Sequence, residues 1–278
     1  WGYYDRGGDS SAVNAALNTS GNKVTQIFST NNAFAALRSD GSVVTWGQSS
    51  SGGDSSAVFA ALNNSSNKVT QIFSTESAFA ALRSDGSVVT WGNSSNGGDS
   101  SAVTAELNTS SNKVTKIFST NGAFAALRSD GSVVTWGSSY GGESSAVAAA
   151  LNTSSNQVCQ IFSTQGAFAA LRSDGSVVTW GDPNYGGNSS AVTAALNTSS
   201  NKVTQIFATG TAFAAMRSDG SVVTWGWFGG DSSAVSAALN TSSNKVTQIF
   251  STGYAFAALR SDGSVVTWGD PSNGSNSS

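Results

Sequence analysis

Histidine is absent from the 278-residue chain, and cysteine occurs once, as Cys159. Without histidine the chain lacks the usual general base and the commonest metal ligand. We therefore expect no catalytic activity, no metal and no cofactor. A single cysteine excludes an intrachain disulfide. Since Cys159 lies in a strand-like segment, we expect a small buried hydrophobe there.

Charged residues are also scarce, at 10% of the chain, and the formal net charge is −3. Such a charge provides no attraction to nucleic acid or to an anionic membrane surface. No apolar run approaches the roughly 20 residues of a membrane span. Hydrophobic residues still make up 38%, which is enough for a core and argues against disorder. No signal peptide is visible, and because the first residue is Trp1 and not Met, we expect a processed or truncated chain.

The sequence is a sixfold repeat. One unit runs from Gly7 to Gly47 and reads GGDSSAVNAALNTSGNKVTQIFSTNNAFAALRSDGSVVTWG. The closing tryptophans recur at intervals of 45, 45, 44, 45 and 43 residues, at Trp46, Trp91, Trp136, Trp180, Trp225 and Trp268. No change of composition divides the array, so we predict one domain over residues 1–278. A period of about 45 residues with several short strands is typical of a propeller blade.

Each unit carries three strand-like segments, which in the first unit are Lys23–Thr30, Ala33–Ser39 and Ser42–Gly47. The dipeptide Asp40-Gly41 between the last two recurs in every unit. It predicts a type I′ hairpin turn, in which both central residues have positive φ. Neither face of these strands is polar, so we expect each sheet to be covered on both sides.

The segment Asp9–Asn18 leaves two alternatives open. Its alanines favour a short helix, which Asp9 or Ser10 could cap and in which Val13 and Leu17 lie one turn apart. It could equally be the outer fourth strand of a blade, although we favour the helix. The units together predict an all-β fold with short helical segments, namely a six-bladed β-propeller.

The run IFSTNNAFAALRSDGSVVTWG, with Gly52 six residues after its tryptophan, resembles the regulator of chromosome condensation repeat. The matching residues are Ile27, Ala36, Leu37, Gly41, Trp46 and Gly47. The resemblance covers all six units and implies a β-propeller of radially arranged blades. The family's glycine after the first strand is Thr30 here, its histidine is Ala33, and its Gln-Leu-Gly is missing. Since the exchange activity of the founding member belongs to surface loops without a match here, the resemblance implies a structural or binding role.

Two arrangements of the units stay open. If Asp9–Asn18 completes the blade that ends at Trp268, the two ends of the chain close the ring. Otherwise the units form an open array, or chains join end to end into a fibre. The pair Trp1-Gly2, which repeats the end of a unit, keeps the second arrangement open.

Aromatic residues in the loops are candidates for a ligand contact. Trp227 and Phe228 occupy a loop where other units carry Ser, Asn or Tyr, and packing is the alternative role. The candidate contact residues are Tyr140, Tyr185, Trp227, Phe228 and Tyr254. We expect the six repeated tryptophans to form core, not a stacking ring for sugars. Differences between units concentrate after Trp-Gly, after the first strand and in the alanine-rich segment, which suits either a recognition surface or drift at exposed turns.

An arginine precedes each Asp-Gly turn, at Arg38, Arg83, Arg128, Arg172, Arg217 and Arg260. We expect each to pair with a nearby carboxylate such as Asp40, the alternative being an anion-binding ring.

Each unit also carries an Asn-x-Ser sequon, a candidate N-glycosylation site in a secreted eukaryotic protein. The six repeated sites are Asn18, Asn63, Asn108, Asn152, Asn197 and Asn240, and further sequons occur at Asn64, Asn93, Asn188, Asn273 and Asn276. Chance, copied by duplication in a Ser/Asn-rich chain, is the alternative explanation.

These observations predict a non-enzymatic, secreted or extracellular protein with a structural or protein-binding scaffold role, such as a component of a surface layer or fibre. The alternative is a carbohydrate-binding propeller that uses the loop aromatics, and the third hypothesis is a hydrolase with paired carboxylates. The expected partners are a protein, a glycan or a second copy of the chain, with no nucleic acid and no membrane insertion.

Overall fold

A computed structural model describes residues 3–275, so Trp1-Gly2 and the sequon at Asn276 lie outside the described residues. The chain divides into two compact units, Trp1–Glu143 and Ser144–Ser278. From here on, the first and second unit are these two parts of the chain, and the six similar segments are called repeats. Each unit holds three antiparallel sheets of three strands, numbered sheets 1 to 6 in chain order. The single domain over residues 1–278 stays a prediction.

The three strands predicted for each repeat are confirmed, with ends that differ from the prediction by one residue at most. The first strands are Val24–Ser29, Val69–Ser74, Val114–Ser119, Val158–Ser163, Val203–Ala208 and Val246–Ser251 (β1, β4, β7, β10, β13 and β16). The second strands are Ala33–Arg38, Ala78–Arg83, Ala123–Arg128, Ala167–Arg172, Ala212–Arg217 and Ala255–Arg260 (β2, β5, β8, β11, β14 and β17). The third strands are Val43–Gly47, Val88–Gly92, Val133–Gly137, Val177–Gly181, Val222–Gly226 and Val265–Gly269 (β3, β6, β9, β12, β15 and β18).

The segment before each first strand is helical, as favoured from its alanines. A 3₁₀ turn such as Ser11–Val13, whose first amide donates to the Asp9 carboxylate at 2.8 Å, leads into one turn of α-helix. The α-helices are Asn14–Leu17, Phe59–Leu62, Thr104–Leu107, Ala148–Leu151, Thr193–Leu196 and Ser236–Leu239 (α1 to α6). One turn of helix is unstable alone, and the closing leucine of α2 to α6 anchors it by burial in the core.

The Asp-Gly hairpin is confirmed, but the type I′ turn was wrong. The Gly41 amide donates to the Arg38 carbonyl, and the Arg38 amide donates to the Ser42 carbonyl, both at 2.9 Å. Gly41 has φ of +85°, whereas Asp40 is not in the left-handed region. These contacts define a three-residue loop, in which a tight turn is followed by a left-handed glycine. The Asp40 carboxylate accepts the Ser42 amide at 2.9 Å and so holds the turn.

Each sheet buries two apolar faces, which we name from sheet 2. The leading face contains Ile72, Phe79, Ala81, Val89 and Trp91, and it packs on sheet 1. The trailing face contains Phe73, Ala78, Ala80, Leu82 and Val88, and it packs on sheet 3. In the second unit the trailing faces of sheets 4 and 5 meet the leading faces of sheets 5 and 6 in the same way. Coverage on both sides is thus confirmed for sheets 2 and 5, whereas Ile27 of sheet 1 and Val265 of sheet 6 are exposed.

Five of the six repeated tryptophans are buried in the core, as predicted, whereas Trp46 of sheet 1 is only half-buried. Trp91 is 4% exposed and stacks on Phe79 of the neighbouring strand, with ring centroids 5.1 Å apart. Its indole N–H donates to the Gly52 carbonyl at 3.0 Å, which ties the loop after sheet 1 to sheet 2. Such a ring pair contributes about 0.5–1.5 kcal/mol beyond its buried area.

Cys159 is exposed, and the prediction of a buried cysteine was wrong. It lies on β10 at the position of Thr70 on β4, whose side chain is also exposed. In β4 and β10, the two residues after the opening valine face solvent, and the isoleucine that follows is buried.

Candidate functional site

The two most variable segments of each repeat lie side by side at one edge of the sheet. Ala33 pairs with Gly47, so the turn before the second strand adjoins the loop after the third strand. The Gln48 amide donates to the Asn32 carbonyl at 2.9 Å and joins them. The corresponding bond in sheet 5 runs from the Trp227 amide to the Thr211 carbonyl at 3.0 Å.

A buried threonine holds this edge in place. The Thr120 hydroxyl accepts the Ala123 amide and donates to the Tyr140 carbonyl, both at 3.0 Å. It therefore fixes the turn and the loop to each other. These bonds need a side-chain hydroxyl. They explain why this chain has threonine where the regulator of chromosome condensation pattern has glycine.

Backbone hydrogen bonds also connect the variable turns of successive sheets. In the first unit the Asn31 amide donates to the Glu76 carbonyl, and the Glu76 amide donates to the Asn121 carbonyl, both at 2.9 Å. In the second unit the same relation joins Gln165 to Gly210 and Gly210 to Gly253. Each unit thus presents its varying residues in line along one edge, which we call the variable edge.

Three of the five candidate aromatics meet on the variable edge of the second unit. Trp227 stacks on Phe228 with ring centroids 4.4 Å apart, and Phe228 meets Tyr254 edge to face at 6.3 Å. Trp227 is 56% exposed and Phe228 is 47% exposed. Trp227 and Phe228 follow sheet 5, whereas Tyr254 precedes the second strand of sheet 6. Tyr254 is half-buried. Two adjacent repeats therefore build one group of rings, which we call the aromatic cluster.

The loop that carries this cluster is strained. Phe228 has φ of +40°, and among residues 3–275 it is the single non-glycine residue with positive φ. The loop is two residues shorter than the one after Trp46. Within it, the Gly229 amide donates a hydrogen bond to the Trp227 carbonyl at 2.6 Å. A backbone in this region costs about 1–3 kcal/mol and recurs at binding sites.

The other two candidates stand apart from the cluster. Tyr140 is 53% exposed and lies in the first unit, where its carbonyl accepts the Thr120 hydroxyl. Tyr185 is half-buried and packs against the apolar contact between sheets 4 and 5. A Cβ on Gly166 would approach the Tyr185 ring to 2.9 Å, so Tyr185 has a packing role.

The six arginines lie at the opposite edge, and among the described residues 3–275 they do not make the expected ion pairs with carboxylates. The Arg128 Nε donates to the Ser132 hydroxyl at 2.8 Å, and the Arg38 guanidinium reaches the Ala16 carbonyl at 3.4 Å. The Asp40 carboxylate binds Ser42 instead. This hydrogen bond, ahead of the charge on Arg38, holds the pKa of Asp40 below its usual value.

In the same turn of sheet 5, burial and hydrogen bonding shift the pKa of the aspartate in opposite directions. Burial raises the pKa of Asp219, but the hydroxyl and amide of Ser221 and the Asn201 side chain outweigh burial. The result is a pKa of about 2. The carboxylate is therefore ionised at neutral pH and stabilises the turn through these hydrogen bonds.

The repeated sequon asparagines have a structural role. The Asn63 Oδ1 accepts the amide of Val43 on the preceding sheet at 3.1 Å, and its Nδ2 donates to the Phe59 carbonyl at 3.0 Å. The same bridge to the preceding sheet is made by Asn108, Asn197 and Asn240. This bridge accounts for asparagine at these positions, and glycosylation stays a prediction.

One groove brings two carboxyl groups together. Asp99 and Glu143 line an open groove of about 620 Å³ in the first unit. The amide and hydroxyl of Ser101 lower the pKa of Asp99, which suits a permanent carboxylate and not a proton donor. Within residues 3–275 no group of three His, Cys, Asp or Glu side chains is placed to hold a metal. In the same range, no helix combines the length and the apolar character needed to span a bilayer.

Solved structures share this fold. The human protein WBSCR16 superposes with a TM-score of 0.51 and 18% identity, over 85% of this chain and 74% of that protein. Prp20p from Saccharomyces cerevisiae gives a TM-score of 0.51 and 16% identity, over 89% of this chain and 72% of that protein. No family model and no curated protein matches the sequence. The chain thus has the all-β fold of the RCC1-like β-propellers, with six three-stranded blades and short helices.

Proposed function

We propose that this chain is a non-enzymatic protein-binding scaffold that acts outside the cell, and that the aromatic cluster is its contact site. The observation that carries the proposal is the group formed by the exposed Trp227 and Phe228 and the half-buried Tyr254 on one edge. Aromatic side chains dominate the binding energy of protein interfaces. Their placement on loops that vary between repeats supports recognition, while the sheets beneath stay constant.

The fold neighbours support a protein partner. One yeast structure is described as Kap60 bound to yeast RCC1 (Prp20), and that chain matches this one with a TM-score of 0.50 at 18% identity, over 89% of this chain and 70% of that chain. Another is described with the binding properties of Prp20p to Gsp1p and histones. Propellers of this fold therefore include proteins that bind other proteins, although fold does not fix function.

Composition supports the proposed extracellular location and the proposed role in a surface layer or fibre. Charged residues make up 10% of the chain, and sequons are frequent. A sequon is a possible glycan acceptor in a surface loop of a secreted protein, so the repeated sequons support a secreted protein.

A carbohydrate-binding role is the second candidate. One face of the Trp227 ring is covered by Phe228, and the residue is still 56% exposed. An exposed indole face is also a platform for a sugar ring. The two candidates differ in the ligand that the same cluster would select.

The test uses two probes on the purified full chain. A phage-displayed random peptide library and a glycan array are each applied to the wild type and to Trp227→Ala. Tyr140→Ala removes a similarly exposed loop aromatic in the first unit and serves as the matched control. We expect enriched peptides that bind the wild type and Tyr140→Ala but not Trp227→Ala. Glycan binding lost in Trp227→Ala would instead establish the second candidate, and no Trp227-dependent binding to either probe would refute both.

A further inference from the structure

The positive charges of the chain are concentrated at the edge of the sheets that carries the Asp-Gly hairpins. Five lysines directly precede first strands and six arginines end second strands there, and the other two cations are Arg6 and Lys116. Six of the 16 aspartates and glutamates, those of the hairpins, lie at the same edge. This edge, which we call the basic edge, therefore has a formal charge of +5 in a chain whose net charge is −3. A weak net charge thus conceals a basic surface.

Contacts between successive repeats place the lysines and arginines of the basic edge in a row. The Lys68 carbonyl accepts the Ser84 amide of its own hairpin at 2.8 Å. A Cβ on Gly41 of the preceding hairpin would lie only 2.5 Å from the Lys68 Cβ, so Lys68 lies between two hairpins. Lys113 repeats both contacts one sheet further on. The row in the first unit is Arg38, Lys68, Arg83, Lys113 and Arg128, and the row in the second unit is Arg172, Lys202, Arg217, Lys245 and Arg260.

The carboxylates of the basic edge bind neutral donors and not these cations. The Asp85 Oδ1 accepts the amide and the hydroxyl of Ser87, and its Oδ2 accepts the Asn67 Nδ2 at 2.7 Å. The Arg83 Nε is buried, and it has no hydrogen-bond partner in the part of the chain that the structure describes. The aspartates thus serve the turns, and the cations of the row are left to interact with solvent or with a ligand.

The lysine side chains are not needed for the local structure. In the fourth repeat Gln157 takes the place of the lysine. Its carbonyl accepts the Ser173 amide at 2.9 Å, which is the bond that Lys68 makes with Ser84. A neutral side chain therefore forms the same hairpin contact. Lys68 is exposed, so its ammonium group is available to an anion.

The chemistry of the basic edge restricts the class of ligand. No aromatic residue occurs in the hairpin segment Arg38–Ser42, in its five copies or beside the lysines. Protein interfaces take much of their binding energy from aromatic anchors, and single-stranded nucleic acids stack their bases on aromatic rings. The groups present here are cations, hydroxyls and carboxamides. They suit a ligand that is held by charge and by hydrogen bonds to its own hydroxyl groups.

We propose that the basic edge binds an acidic polysaccharide, that is, a sugar chain that carries carboxylate or sulfate groups. The lysines supply mobile point charges, and the arginines supply paired donors that match the oxygens of a carboxylate or a sulfate. Each unit presents its own row of five cations. The choice of a polysaccharide over duplex nucleic acid rests on the proposed extracellular role. The aromatic cluster lies at the other edge of the sheets, so the two sites are separate.

The test measures the Kd of fluorescently labelled heparin and alginate oligosaccharides by anisotropy with the purified full chain. Lys68→Gln removes one cation of the row, and a fourfold variant replaces Lys68, Lys113, Lys202 and Lys245 by glutamine, as at Gln157. Arg6→Asn is the control, because it removes the same charge from an exposed loop residue whose place Asn96 takes in a later repeat.

We expect equal Kd values for the wild type and Arg6→Asn with at least one of the two polysaccharides. The Kd should rise roughly two- to fivefold in Lys68→Gln and roughly tenfold or more in the fourfold variant. The dependence of Kd on salt should become less steep as lysines are removed, because fewer counterions are released. Circular dichroism of all variants should match that of the wild type.

Three outcomes would overturn the proposal. The first is that neither polysaccharide binds, and the second is that the lysine variants bind as tightly as Arg6→Asn. The third is that duplex DNA or polyglutamate binds as tightly as the polysaccharides, which would refute the ligand class. The proposed contact site fails separately, since Trp227→Ala should leave polysaccharide binding unchanged and the fourfold lysine variant should leave peptide binding unchanged.

Discussion

Sheets 1 and 2 contain the same isoleucine in two environments, which allows an internally controlled stability measurement. Ile72 is 1% exposed and Ile27 is 60% exposed. Replacing Ile72 by alanine removes three buried carbons, worth roughly 2.4 kcal/mol at 0.8 kcal/mol each. The cavity left in the core brings the expected loss to about 3–4 kcal/mol. Ile27 is about 40% buried, so Ile27→Ala loses about 40% of the transfer free energy of the same three carbons. Solvent fills the space, so no cavity adds to the cost, and the expected loss is about 1 kcal/mol.

Urea unfolding of both variants and the wild type, followed by circular dichroism at low protein concentration, measures this difference. Equal losses for the two variants would refute the reasoning, since they would mean that Ile27 is covered in solution.

Three further predictions concern the polar groups that hold the sheets. Thr120→Val should lower the unfolding free energy by about 1–3 kcal/mol, because it leaves a buried amide without an acceptor; exposed Thr115→Val is the comparison in the same urea assay. Asn108→Ala should cost about 1–2 kcal/mol through the lost bridge between sheets, whereas Asn18→Ala, which has no such bridge in the described residues, should cost clearly less. Asp219 has a pKa of about 2 when folded and about 3.9 when unfolded, so the stability it contributes is present above about pH 4 and lost towards pH 2. Urea midpoints across this range should therefore fall less in Asp219→Asn than in the wild type.

Much of the fold could be predicted because local chemistry determines it. Asp40-Gly41 between two apolar runs identified the hairpin, and strands without a polar face indicated sheets covered on both sides. The turn type was wrong because the dipeptide does not reveal how many residues form the loop. With Gly41 alone in the left-handed region, the loop takes three residues, not two.

The site could be predicted only in part. An aromatic pair in a shortened loop marked Trp227 and Phe228, but their contact with Tyr254 depends on which turns meet across two sheets. Nor does the sequence separate Ile27 from Ile72, since their neighbours along the chain are the same. Exposure there depends on whether another sheet covers the face, which is a property of the assembled repeats and not of one unit.

The affinity of one selected peptide for the wild type, Trp227→Ala and Tyr140→Ala tests the proposed contact site most directly. Truncating an interface aromatic of this kind costs about 2 kcal/mol or more. Isothermal titration should therefore show a rise in Kd of roughly 30-fold for Trp227→Ala and none for Tyr140→Ala. Equal affinities for all three proteins would contradict a binding role for the aromatic cluster.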